Sequence, residues 1–149
     1  MSVHGFNSVA NAYRSIGLEG DIATASPYRL VQIIMERVLE QVTLARRAMM
    51  SNDPATKGSA IGTAISLLDE LRASLDENKD PELANRLKSL YRYMSQRLLE
   101  SNVLNDANGL DEVHKLMAQI KSSWDEIPGA LEQQTDLRQQ LEPYFHANT

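Results

Sequence analysis

The chain has 149 residues, 42 % of them hydrophobic and 23 % charged, with a formal net charge of −5. That length suits one domain with a reasonable core. The absence of cysteine excludes disulfides and thiolate metal sites, and no apolar run nears the ~20 residues of a membrane span.

Residues 1–25 lack sustained periodicity. They begin with neither a basic start nor an apolar signal core, which points to the cytoplasm. Phe6, Val9, Tyr13 and Ile16 recur every three or four residues, and Gly17 and Gly20 would end any helix they formed. Two readings stay open for this segment: a frayed terminus, or a mobile flap whose apolar face covers a groove.

Ser26-Pro27 opens the first long helix, with serine as cap and proline in the first helical position. Val31, Ile34, Val38, Val42, Ala45 and Met49 form its apolar face. Ser51-Asn52-Asp53-Pro54 stops it and starts a second helix by the same chemistry. The second stripe is Ile61, Ile65, Leu68 and Leu75, with Leu67 and Leu71 off one shoulder. Gly58 and Gly62, four apart, suggest a close helix approach. Arg72 falls inside the apolar stripe, one turn from Asp76. It reads either as an ion pair at the bundle margin or as a polar anchor for a bound peptide.

Asn78-Lys79-Asp80-Pro81 is the next break. After it, Leu83, Leu87, Leu90, Met94 and Leu98 lie within roughly 60° of one line at about 100° per residue. Tyr91 and Tyr93 flank this stripe, each hydroxyl expected to reach water. Leu99 and Val103 point nearly opposite, where the core does not need them. After Asn105-Asp106, Leu110, Val113, Met117, Ile120 and Trp124 follow a 3, 4, 3, 4 spacing, a heptad-like seam. Pro128-Gly129 is expected to end that helix. A short, loosely held helix is expected in the tail, around Leu137, Leu141 and Phe145.

The short breaks predict an all-α, antiparallel up-down-up-down four-helix bundle. The helices fall near residues 27–50, 54–78, 81–104 and 108–126. The chain then divides into a flap at 1–25, the bundle at 26–127 and a tail at 128–149.

Catalytic chemistry finds no support. Glu112-Val113-His114 and Glu142-Pro143-Tyr144-Phe145-His146 lack the Glu-x-x-His spacing of di-iron bundles. Three scattered histidines make a poor metal site. No phosphate loop, nucleophile elbow or zinc-protease motif is present. No enzyme, cofactor, metal or small-molecule substrate is therefore expected. The negative charge, with no basic cluster larger than Arg46-Arg47, argues against nucleic acid. His114 could carry a phosphoryl group on a bundle helix, but the residues after it, Lys115-Leu116-Met117-Ala118, lack the glycine that phosphotransfer domains place there.

Several pieces in order carry a resemblance. Tyr13 precedes Ala23-Thr24-Ala25-Ser26-Pro27 and Leu30-Val31. Next come Leu71-Arg72-Ala73-Ser74-Leu75-Asp76 and Glu82-Leu83-Ala84-Asn85-Arg86-Leu87. Leu90-Tyr91-Arg92-Tyr93-Met94 leads into Arg97-Leu98-Leu99-Glu100-Ser101-Asn102. Asn105-Asp106, Leu110-Asp111-Glu112-Val113 and Trp124 complete the run. Over roughly residues 13–127 the chain resembles the flagellar secretion chaperones of the FliS family.

The resemblance implies a cytoplasmic helical bundle whose client is the disordered C-terminal segment of flagellin. Covering that segment would keep subunits from polymerising until delivery to the export gate of the type III apparatus. No membrane insertion is implied. The alternatives are an adaptor for another export client and a phosphotransfer bundle. Together with the residues off the core stripes, the resemblance gives a candidate client face of Leu67, Leu71, Arg72, Leu75, Asp76, Tyr91, Tyr93, Leu99, Asn102 and Val103. It also implies a flap of Phe6, Val9, Tyr13 and Ile16, with Tyr13 against the client groove.

Overall fold

The computed structural model describes residues 26–133, with side chains as far as residue 127. The four helices are α1 (Pro27–Met50), α2 (Pro54–Ala73), α3 (Pro81–Leu104) and α4 (Ala107–Gln133). The flap residues, and the tail around Leu137, Leu141 and Phe145, lie outside the described residues.

Three helices start alike. Ser26, Asp53 and Asp80 each accept a hydrogen bond from the N–H three residues on, at 3.1 Å, and proline follows each cap. Each cap satisfies an N–H with no helical partner and is worth about 1 kcal/mol. The tight links after α1 and α3 each turn through an asparagine in the left-handed region, Asn52 at φ 55° and Asn105 at φ 54°. Asparagine is among the few residues that tolerate it.

α1 and α3 each pack against both α2 and α4, and side chains fix the directions. Arg46, late in α1, meets Asp111, early in α4, at 2.6 Å. Tyr28, at the start of α1, meets Trp124, far along α4. Lys57, in the first turn of α2, reaches Asn102 and Asn105 at the end of α3. Neighbours are thus antiparallel, as the short breaks required.

The core is continuous. α1 supplies Leu30, Ile33, Ile34, Met35, Val38, Val42, Ala45 and Met49; α2 supplies Ala60, Ile61, Ala64, Leu67, Leu68 and Leu71; α4 supplies Leu110, Val113 and Met117. Ile120 and Trp124 continue the α4 seam, half-buried. Each fully buried leucine or isoleucine contributes roughly 1.5–3 kcal/mol.

The inner face of α3 differs in phase from the leucine stripe. It runs Ala84, Leu87, Tyr91, Met94, Leu98 and Ser101, at spacings of 3, 4, 3, 4 and 3. Tyr91 is 3 % exposed, so its ring fills the core instead of flanking it. Burial pushes its hydroxyl pKa up to about 12. Leu83 is exposed and Leu90 only half-buried. Small Ala84 and Ser101 hide this line from any reading that follows leucines.

Three other expectations change. α2 ends at Ala73, not near residue 78. Leu75 N–H turns back to the Arg72 carbonyl, and the Asp76 carboxylate accepts from Asn78 N–H at 2.9 Å. That local bond competes with the helix ladder. Arg72 pairs with Asp69 at 3.4 Å, not with Asp76, because Asp76 now lies beyond the helix. The two glycines bring no helix close: a Cβ at Gly58 or Gly62 would meet nothing within 4 Å. The close approach lies elsewhere, where a Cβ at Gly109 would stand 1.8 Å from Ser101 Oγ, between α4 and α3.

α4 also runs past Pro128-Gly129 to Gln133. Proline cannot donate to the carbonyl four residues back, which here belongs to Trp124. The Tyr28 hydroxyl donates to that same carbonyl at 2.7 Å. The orphaned acceptor is thereby satisfied from α1. Trp124 Nε1 in turn donates to the Tyr28 carbonyl at 3.2 Å, and the two rings stack at 5.1 Å, 8° from parallel.

Candidate interaction face

The candidate residues separate into two groups. Leu67 and Leu71 are 1 % and 2 % exposed and belong to the core, as Tyr91 does. They present no surface, correcting the expectation that Leu67 lies in a groove. α2 packs a wider arc than its isoleucine stripe suggested. Leu75 is half-buried against the core, and Arg72 and Asp76 are half-buried at its edge.

The second group lies along the last half of α3. Leu99 is 54 % exposed and Val103 81 %. One turn apart, they share a face. Leu104, 65 % exposed, ends the helix on the other flank, in line with Arg97 and Tyr93 at about 100° per residue. Because Tyr91, Met94, Leu98 and Ser101 already complete the inner face, these three residues add nothing to the core. Leu104 was missed by the sequence reading, although its position next to Val103 was the signal. Elsewhere Met50, Leu44 and Leu83 are also exposed, but singly.

Both flanks of this segment are held. On one side, Arg97 donates to Glu112 of α4 at 2.9 Å and reaches Asp106 at 3.3 Å, with Glu100 close by. The exposed Tyr93 hydroxyl donates to the other Glu112 oxygen at 2.6 Å. Tyr93 foremost, then Arg97, hold the Glu112 carboxyl below its ordinary range. On the other side, Lys57 of α2 donates to the Asn102 carbonyl and to Asn105 Oδ1, both at 3.0 Å. At about 100° per residue, Leu99 and Val103 fall on the flank away from Arg97 and Tyr93. That flank looks toward the α2 side and solvent.

No group of acidic, histidine or cysteine side chains among the described residues could hold a metal. His114 is exposed. No described helix is long and apolar enough to cross a membrane. What remains is a polar bundle with one concentration of surplus apolar side chains.

The described residues thus form an all-α antiparallel bundle with exposed apolar side chains on α3. The family model described as "Flagellar protein FliS" matches residues 9–131. A flagellar secretion chaperone of Pseudomonas aeruginosa is 42 % identical over 115 residues, covering 77 % of this chain and 91 % of its own. The corresponding proteins of Escherichia coli and Salmonella typhimurium are 38 % and 35 % identical, covering 77 % and 78 % of this chain and 85 % and 87 % of theirs. The chain belongs to the FliS family of flagellar secretion chaperones. These relatives are chaperones, which are not enzymes.

Proposed function

We propose that this chain is a non-enzymatic, cytoplasmic chaperone that holds the C-terminal segment of flagellin and hands it to the flagellar export gate. The observation that carries the reading is the apolar pair Leu99 and Val103, exposed one turn apart on a helix whose inner face is already complete, in a member of the flagellar secretion chaperone family. A disordered client gains affinity by folding its apolar residues onto such a surface. Grouped apolar exposure marks interaction sites where scattered leucines do not. Asn102 and Tyr93 supply polar contacts at the margins.

The test is charge. Leu99→Asp alters no core contact, so far-UV circular dichroism and melting stay near those of the parent. Affinity for a flagellin C-terminal peptide falls by roughly ten-fold or more, because a carboxylate trapped without a partner is strongly disfavoured. Leu98→Asp, one residue away and 0 % exposed, unfolds the bundle. Normal binding by Leu99→Asp would remove this face from the proposal. Undiminished binding of flagellin lacking its C-terminal segment would favour a different export client.

A further inference from the structure

The last turn of α3 has an unusual problem. Ser101 packs inward against α4, but Val103 and Leu104 face solvent and add little packing to this turn. Its final carbonyls lack helical donors, and they form the negative end of the helix dipole. α3 carries no basic residue in its own last turn.

The missing cation comes from another helix. Lys57 is only 9 % exposed and, among the described residues, makes no ion pair shorter than 4.0 Å. Its ammonium donates to the carbonyl of Asn102 and to the side chain of Asn105, the left-handed residue that caps the helix. A buried lysine aimed at neutral acceptors is uncommon, since ammonium groups are costly to desolvate and are usually paired with carboxylates. The helix terminus supplies the compensating negative potential.

We infer that Lys57 is a positioning residue for client binding: it braces the end of α3 from α2 and so holds Leu99 and Val103 in helical register before the client arrives. The inference rests on the proposed role of that face. A preformed face spares the complex the entropy of ordering a frayed turn. Val103 and Leu104 do little to order the turn themselves, because most of their surface is exposed among the described residues. The Asn105 and Asp106 N–H groups bond back to the Ser101 carbonyl, and Lys57 adds a charged donor to the next carbonyl, that of Asn102.

The test uses the full chain and three variants. Lys57→Met keeps the stem and removes the charge. Ile34→Val, in the core of α1, lowers stability without touching α3 and serves as the control. Leu99→Asp reports on the face itself. Binding of the flagellin C-terminal peptide is measured well below the melting temperature, with amide exchange of residues 101–106. Lys57→Met is expected to exchange roughly ten-fold faster over that turn and to bind roughly five-fold more weakly, while Ile34→Val binds like the parent. If Lys57→Met binds like Ile34→Val, or if exchange at residues 101–106 is unchanged, Lys57 has no positioning role. If Leu99→Asp binds normally, the reading of the face fails instead, and Lys57 is left as a structural cap alone.

Discussion

At the scale of residues, Tyr91 shows why side-chain type misleads. Its hydroxyl suggests a place at the surface, yet its ring is the best available filler for the α3 inner face, 3 % exposed. The cost is visible in alkali. Its pKa of about 12 lies above the ordinary tyrosine value near 10, so the unfolded chain loses this proton first as pH rises. Stability is fully present below pH ~10 and is lost between ~10 and ~12, by about 1.4 kcal/mol per pH unit. Tyr91→Phe should flatten this limb relative to the parent in denaturant titrations across that window. Identical slopes for the two proteins would place the hydroxyl in water. The exposed pair Leu99 and Val103, by contrast, was legible in the sequence. Their spacing set them apart from any stripe, and nothing in the fold intervened.

At the scale of elements, the helix starts were legible, as were the ends of α1 at Met50 and α3 at Leu104, but the ends of α2 and α4 were not. Each start carries its own chemistry, as at Asp53-Pro54 and Asp80-Pro81, and needs no tertiary partner. The two missed ends depend on side-chain hydrogen bonds, one local and one distant. α2 yields early to a local turn at Asp76, while α4 continues through Pro128 because a tyrosine 96 residues away in sequence satisfies the Trp124 carbonyl. This assigns Tyr28 a specific debt to Pro128. Tyr28→Phe should destabilise the bundle by about 1–2 kcal/mol and loosen α4 beyond Trp124, read by amide exchange. Pro128→Ala restores a backbone donor to that carbonyl, so the double variant should recover much of the loss. Equal losses in the single and double variants would show that the hydroxyl acts otherwise.

At the scale of the whole molecule, four helices, their order and their antiparallel pairing followed from short breaks and apolar periodicity. The composition of the interface between helices did not, because Gly58 and Gly62 look like a packing motif while Gly109 does not. Of these three glycines, only Gly109 sits where another helix approaches. The single tryptophan, Trp124, lies on the seam between α1 and α4 and stacks on Tyr28. If the bundle melts as one unit, its fluorescence and the far-UV circular dichroism should trace one transition. Two separated midpoints would mean that this seam opens first. The antiparallel order also has a geometric consequence for tethering. The described chain leaves the bundle at Gln133, whereas Val103 stands beside the opposite end of α4. The 27 residues of α4 place the two about 40 Å apart. A client peptide fused at Gln133 through a flexible Gly/Ser linker therefore reaches the face best when the linker has about 50 residues, where its root-mean-square span matches that distance.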